Sequence, residues 1–578
     1  MTMTGKETTV SAPGKVLIAG GYLVLEPAYP GLVISTTARF YTTIRPAASS
    51  STDSDVFQVC VKSPQFTEAQ WTFIVTLKGG KGMVEQTQES WNSPNAGPNP
   101  FISLSLLYSI RLALEVRSIE ELTEVLQSKD LDVFVLADND FYSTRENGKA
   151  ASTSQLKAKP PFRSQDRPIR EVHKTGLGSS AAMTTSLVGA LLVHLEVVQP
   201  DDGTGKLDDA SLALIHNTAQ LAHCAAQGKV GSGFDVSAAV WGSHLYRRFD
   251  KAVLQSLLDA MKKVDVVGTG SLSSVEDEPE LLSHLDPRNP LWQASPLSQA
   301  IPGETNPTAV EGLAAGNDED MQTARPAPLE LPPHIELVLA DVDAGSNTPS
   351  MVGKILEWRR SKPEWAKQIW KILASANQTL ADSLLALRLA HAQDSKEYLE
   401  AITLGSRSIS KEWDALSKKQ PSTTLTLLIE LRNAMRSVQG GMRELGRQGG
   451  VPVEPNEMGN VIRATIDGAA GVVGGGVPGA GGYDALYILY LDPSDASSPS
   501  TVRNDIGAVW SKWDALSVGP LLSSAGGAVG VSSAALQAQS AMLAQGLPAL
   551  PSSQIEGGFK VHIDNAVPGL NEAITRIL

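Results

Sequence analysis

Hydrophobic positions follow two rhythms along the chain. Short alternating or continuous apolar runs predominate up to Leu136. Val33 to Ile44 alternates, with Ile34, Thr36, Ala38, Phe40, Thr42 and Ile44 on one side, and this predicts a half-buried strand. Ser11–Lys15 reads as a turn before a short buried strand over Val16–Ala19. Gly20, Gly21 and Tyr22 break that strand, and Leu23–Leu25 resumes it. Val56–Val61, Trp71–Leu77 and Leu131–Leu136 read as further strands, with a helix over Phe101–Val116. Leu187, Leu191 and Leu195 recur at i, i+4, i+8, which predicts a helix with one apolar face. Ala210–Ala226 reads as a second long helix, and Val236–Trp241 as a short one rich in small residues.

Between these runs the composition shifts. Thr144–Arg170, within a loop of about 143–170, is polar and rich in Lys, Ser and Pro, which predicts a mobile loop. From Gly268 to Pro333 proline is frequent and periodicity fades, so 268–333 reads as an irregular insertion or linker. It separates an N-terminal unit, 1–267, from a C-terminal unit, 334–578. The second unit opens on a buried strand at Ile335–Ala340. A helix follows from Met351, then helical periods over Trp365–Leu387, Tyr398–Lys418 and Leu425–Leu445. Gly474–Gly482 is a glycine-rich loop before a strand at Ala485–Leu491, and Phe559–Ile563 reads as a last strand.

At 578 residues the chain exceeds one ordinary core. Hydrophobic residues at 42% and charged residues at 19% fit a soluble globular protein, and the net charge of −14 argues against general nucleic-acid or anionic-membrane binding. Two cysteines, Cys60 and Cys224, stand at no metal-ligand spacing and favour a reducing compartment. The start, Met1–Lys6, lacks a signal-peptide core. Together these predict a cytoplasmic protein.

The chemistry concentrates in glycine-rich turns. Lys174, Thr175, Gly176, Leu177, Gly178, Ser179, Ser180, Ala181 and Ala182 run straight into the Leu187 helix. A helix start leaves backbone N–H groups unpartnered and carries partial positive charge. Glycines let an anion approach those donors, and serine hydroxyls add donors or a metal ligand. No Gly-Lys-Ser/Thr follows a four-residue gap, so this is not the common P-loop. Gly345–Ser350 and Gly474–Gly482 are two more anion-suited stretches, and Lys229–Asp235 puts a carboxylate on a glycine-flanked turn.

These segments together resemble the GHMP kinase superfamily. Ser11–Lys15 (Ser-Ala-Pro-Gly-Lys) is similar to its first motif, Gly176–Ala182 to its second and Gly476–Gly482 to its third. Ala19–Leu25, Ala226–Asp235 and Gly476–Ala485 are similar to the fungal-type phosphomevalonate kinase branch. The resemblance implies an α+β fold with α/β sandwich layers in two domains: an N-terminal ribosomal protein S5 domain 2-like domain and a C-terminal GHMP kinase domain. It implies transfer of the ATP γ-phosphoryl group to 5-phosphomevalonate, with Mg2+. Mevalonate kinase chemistry, or ligand sensing on the same fold, are the alternatives.

By the same resemblance Lys15 and Asp235 are the catalytic pair. Lys174, Gly176, Leu177, Gly178, Ser179, Ser180 and Ala181 hold the ATP phosphates, and Ser180 ligates Mg2+. Tyr22, Lys229, Ser346, Thr348, Ser350, Gly479 and Gly481 are expected at the acceptor, with Asp484 fixing the third loop. A phosphomonoester is already anionic near neutral pH, its second pKa being about 6. Asp235 is therefore expected to orient the acceptor, contact Lys15 or help hold the metal rather than remove a proton. One departure stands out. Mevalonate kinases carry a glutamate eleven positions before the aspartate, where this chain has Cys224, and no Asp or Glu lies between Ala210 and Phe234. The metal must then rest on Ser180, ATP, water or a carboxylate from elsewhere.

Overall fold

Residues 7–77, 82–126, 129–146, 148–261, 271–272, 280–292, 326–342, 348–493, 500–526, 557–563 and 567–576 are described by a computed structural model. The strands that matter are β1 (Thr8–Ala19), β2 (Gly31–Ala47), β3 (Val56–Lys62), β4 (Gln70–Thr76), β5 (Met83–Gln86), β6 (Asp130–Ala137), β7 (His244–Tyr246), β8 (Ile335–Val342), β9 (Val472–Gly476), β10 (Ala485–Leu491), β11 (Val518–Gly526) and β12 (Lys560–His562). The principal helices are α1 (Pro100–Val116), α2 (Ser179–His194), α3 (Asp209–Ala226), α4 (Phe234–Trp241), α5 (Thr348–Ser361), α6 (Pro363–Gln393), α7 (Ser395–Ser406), α8 (Thr423–Gly449), α9 (Asn456–Gly468) and α10 (Val502–Ser511).

The first sheet runs β5-β4-β3-β6-β2-β1-β12, with β7 also paired to β2. Ser11–Lys15 is not the expected turn but part of β1, where Ala12 pairs with Phe40 and Pro13 with Arg39. The register slips between Pro13 and Lys15, so the Pro-Gly pair makes a bulge that redirects the strand at Lys15. After Gly20 (φ +116°) and Gly21 (φ +46°) the chain enters a 3-10 turn at Leu23–Leu25, not a resumed strand. Strand β2 is central rather than half-buried: Val33 and Ile34 are both enclosed, because each face of the sheet has its own cover. On one face lies α2, buried around nearly its whole circumference from Ala181 to His194, not along one stripe. The other face is covered by separate clusters, one with Ala238 and Tyr246 against Leu17 and Val33, another with Leu570 and Ile574 against Phe134 and Leu136.

The second sheet is antiparallel in the order β9-β10-β8-β11. Gly474–Gly476 belongs to β9, so the third glycine loop is shorter than its composition suggested. The expected helix Tyr398–Lys418 breaks into α7, a 3-10 turn at Ser410–Glu412 and a short helix at Trp413–Lys419. Helices α9 and α10, which no expectation covered, bury Met458, Val461, Ile462 and Trp510 against this sheet. The 144–170 segment has internal structure: paired strands Arg145–Glu146 and Lys149–Ala150, then a helix, Thr153–Lys157, capped reciprocally by Ser152 and Gln155. Arg145 ties it to the second unit through Asp341 (2.8 Å) and the Ser517 hydroxyl (2.7 Å).

Chain order does not separate the two units. Strand β12 pairs along β1, with Thr9 opposite His562 and Ser11 opposite Lys560, so the last described residues return to the first sheet. One apolar core runs from Val16 and Ile18 through Leu337 and Leu339 to Leu428 and Leu431. Each such side chain contributes about 1.5–3 kcal/mol when fully buried. Within 268–333 the described parts join this body: Ser271–Leu272 pairs with β5, Ala327–Pro328 pairs with β7, and Leu281 and Leu285 enter the core.

Candidate active site

Strand β1 is where the three motifs meet. The Lys15 backbone N–H donates to Leu177 O (2.9 Å) and its Nζ to Gly176 O (3.2 Å), which binds the first motif to the second. Two residues on, Leu17 O accepts from the Gly479 N–H (3.1 Å), and Ile18 O accepts from the Tyr487 hydroxyl (2.8 Å). The third motif is therefore held on the same strand. Gly178 makes the junction possible. Its φ is +79°, and a Cβ there would stand 2.8 Å from Lys15 Cε.

Gly178 is also the N-cap of α2, and no side chain caps that helix. Its first-turn N–H groups thus keep the anion-binding potential of a helix start. Ser179 and Ser180 are partly exposed, Leu177 and Ala181 are core residues, and Lys174 is exposed. Helix α4 starts the same way, from Gly233 at φ +87° without a side-chain cap, and carries Asp235 in its first turn. Burial lowers the Lys15 pKa below its ordinary 10.5, and the Asp235 charge partly opposes this. Lys15 Nζ also lies 5.5 Å over the Phe234 ring. The cluster therefore sets one cation between an uncapped helix start and a carboxylate.

Several supports were not legible beforehand. Arg248, buried, donates to Leu25 O (2.7 Å), Val230 O (3.2 Å) and Gly231 O (2.5 Å), while the Tyr246 hydroxyl donates to Ser232 O (2.5 Å). Together they pin the loop that leads to Asp235. His223 Nε2 lies 3.1 Å from Ser180 Oγ. Burial holds its pKa low, with Asp235 opposing. A third is Glu454, in a cavity bounded by Leu17, Gly20, Gly21, Met442 and Gly479. Burial pushes its carboxyl up to about 7 against the nearby Arg443 and a hydrogen bond from Gln439.

The expected acceptor residues divide. Tyr22 is enclosed in the core, and its hydroxyl donates to Ala480 O (2.8 Å), so it holds the third loop instead of presenting its ring to a ligand. Gly481 (φ +84°) packs so tightly that a Cβ would reach 2.0 Å from Val453 O, whereas Gly479 (φ +65°) faces open space. Asp484 fixes the end of the loop through its carbonyl, which accepts from the Val342 N–H. Lys229 is exposed just beyond α3, its N–H bonded to Cys224 O. Helix α5 begins at Thr348 with Ser350 exposed in its first turn, and Ser346 lies outside the described residues.

Comparison with known proteins agrees with this geometry. The GHMP kinases N terminal domain family matches residues 165–243. Phosphomevalonate kinase erg8 of Aspergillus fumigatus is 34% identical over 519 residues, 84% of this chain and 88% of that one. The peroxisomal phosphomevalonate kinase of Arabidopsis thaliana is 34% identical over 512 residues, 84% of this chain and 90% of that one. The chain belongs to the phosphomevalonate kinase family. Among solved structures, Streptococcus pneumoniae phosphomevalonate kinase in complex with phosphomevalonate and AMPPNP aligns over 89% of this chain and 98% of that one, at 14% identity and a TM-score of 0.45.

The two-domain α+β fold is that of the GHMP kinases, as the motifs implied. A divalent metal accompanies ATP in such kinases, and the donor set here suits a hard cation. Ser180 and Asp235 offer oxygen, and among the described residues no group of three or more His, Cys, Asp and Glu side chains forms a cage. A cation carried by phosphate oxygens and water needs only one or two protein ligands. Cys224 cannot replace the glutamate of mevalonate kinases. Its thiol is buried in the core, and burial pushes its pKa up to about 11.

Proposed function

We propose that this chain transfers the γ-phosphoryl group of ATP to the phosphate of (R)-5-phosphomevalonate, giving ADP and (R)-5-diphosphomevalonate on the route to isoprenoids and sterols. The observation that carries the reading is Lys15, bonded to the second motif at Gly176 and electrostatically coupled to Asp235. An acceptor phosphate oxygen attacks the γ-phosphorus, the bond to the β,γ-bridging oxygen breaks, and ADP leaves with that electron pair. The acceptor oxygen is already anionic, so no strong base is needed. Lys15 offsets charge on the acceptor and the transferring group, and Asp235 keeps that ammonium charged and in place. The backbone N–H groups of Gly176–Ser180 cradle the triphosphate, and Lys174 meets it at the rim. Ser180 and Asp235 would hold Mg2+, which when bound neutralises phosphate charge. Gly479 lets the acceptor approach β1, while Lys229 and Ser350 are the candidates for its phosphate end. We place the protein in the cytosol, consistent with two free cysteines, and imaging a tagged chain tests that.

A coupled ADP assay with mevalonate, 5-phosphomevalonate and 5-diphosphomevalonate decides the substrate. Turnover is expected with 5-phosphomevalonate alone. Turnover of mevalonate but not of its phosphate would overturn the assignment.

A further inference from the structure

Ser180 has a partner that no motif contains. His223 Nε2, on α3, lies 3.1 Å from Ser180 Oγ and 3.2 Å from the Gln227 amide nitrogen one turn further along. An amide nitrogen only donates, so Gln227 donates and the imidazole Nε2 accepts. The proton of the neutral ring then sits on Nδ1. Nε2 has one lone pair, and Ser180 Oγ, the nearer donor, takes it with its single hydrogen, leaving the Gln227 amide as the longer, secondary contact. A serine hydroxyl has one hydrogen and two lone pairs. Once the hydrogen is committed to His223, the lone pairs take the remaining directions, which is the state a cation ligand requires. A free hydroxyl rotor would spend part of its time presenting a hydrogen there instead.

We infer that His223 is a positioning residue. It fixes the Ser180 hydroxyl as a donor toward α3, so that its oxygen lone pairs serve the metal-bearing triphosphate. The inference rests on the reading of Gly176–Ser180 as the nucleotide cradle. The imidazole can do this because it is itself immobile: it is 4% exposed and lies 5.6 Å, centroid to centroid, from the Phe101 ring. Its neighbour Cys224 turns into the core, so the rotation of α3 presents His223 to Ser180.

The test measures ADP affinity of the full chain by titration calorimetry, with Mg2+ and with EDTA, and takes the ratio. Ser180→Ala and His223→Ala are each expected to cut the Mg2+ enhancement roughly tenfold, the usual cost of losing a residue that orients a ligand. The EDTA affinity of the His223 variants should stay unchanged. The double variant should lose no more than either single one, because both remove the same contact. His223→Gln, whose amide oxygen can reach the Nε2 position, should restore most of the enhancement. Should His223→Ala not purify folded, His223→Leu carries the same expectation. If Ser180→Ala loses the enhancement and the His223 variants keep it, the inference fails and the cradle reading stands. Multiplying losses in the double variant overturn it as well. If Ser180→Ala keeps the enhancement, Ser180 is no metal contact and the inference falls, while the backbone cradle is left standing.

Discussion

Lys15→Met should separate what the ammonium does for turnover from what it does to folding. Methionine keeps an unbranched stem of similar length, so the contact above Gly178, where Lys15 Cε approaches to 2.8 Å of a notional Cβ, stays filled. What disappears is one fixed positive charge beside Gly176 O and Asp235. A single preorganised group aimed at developing charge is worth about 2.7–4 kcal/mol, or roughly 10²–10³ in kcat. The effect on stability has the opposite sign. Desolvation is the larger influence on Lys15 and lowers its pKa below 10.5, while the attraction of Asp235 is the smaller. A lysine with a depressed folded pKa binds its proton less tightly when folded. Stability therefore rises as pH passes from the folded to the unfolded value, and at pH 7 the partly desolvated ammonium is a net cost. Removing it should leave the urea midpoint level or raise it while kcat collapses.

The assay is ADP release at saturating ATP and 5-phosphomevalonate, paired with urea unfolding followed by circular dichroism. In the wild type, the alkaline limb of kcat/KM should begin below pH 10.5, because that profile reports the free enzyme. A loss in kcat under about tenfold, well short of the range for such a group, would refute the placing of Lys15 at the reacting phosphates. A clear drop in the urea midpoint would refute the claim that desolvation outweighs Asp235.

Four more changes probe the neighbourhood. Tyr22→Phe removes the bond to Ala480 O and should cost about 0.5–1.5 kcal/mol of stability without moving the KM for the acceptor; a several-fold rise in KM would return Tyr22 to the substrate. Gly178→Ala forces a side chain into the left-handed region at about 1–2 kcal/mol and pushes on Lys15, so kcat should fall with stability, and an unaltered kcat would show that the Lys15 position is not critical. Asp235→Asn should cut turnover steeply while ADP still binds, and an unchanged rate would strike Asp235 from the catalytic residues. The carboxyl of Glu454, raised by burial to about 7 from its usual 4.5, binds its proton more tightly when folded, so its contribution is lost as pH rises from about 4.5 to about 7. Glu454→Gln should therefore raise the unfolding free energy from urea titration at pH 8, by something on the order of 1–3 kcal/mol, and the gain should shrink at pH 5; a gain independent of pH would contradict the assignment.

Much of this site could be read from local chemistry, because its key parts are local. Gly176, Gly178 and Gly233 each have positive φ at or before a helix start, and such turns advertise themselves as glycine. The strands and helices with strong periods, such as β2, α2 and α3, were legible for the same reason. Where a long-range partner decided the outcome, the chain misled. Pro13-Gly14 looks like a turn, yet the ladder to Phe40 and Arg39 holds it in β1 as a bulge. Gly474–Gly476 looks like loop, yet pairing with β10 makes it strand. Phe559–Ile563 was legible as a strand but not as one that crosses back to β1. Tyr22 followed a glycine break near a motif, and only the packed structure shows its hydroxyl on Ala480 O.

The position eleven before Asp235 shows how such a limit arises. Counting along the chain stops at Cys224 and finds no carboxylate. A helix turns about 100° per residue, so a step of one changes which neighbour a side chain meets. On α3 that step separates a thiol in the core from an imidazole on Ser180. A motif count tracks distance along the helix and is blind to its rotation. What stands at this point in the fold is therefore an imidazole 3.1 Å from the Ser180 hydroxyl, on a helix face that the count passed over.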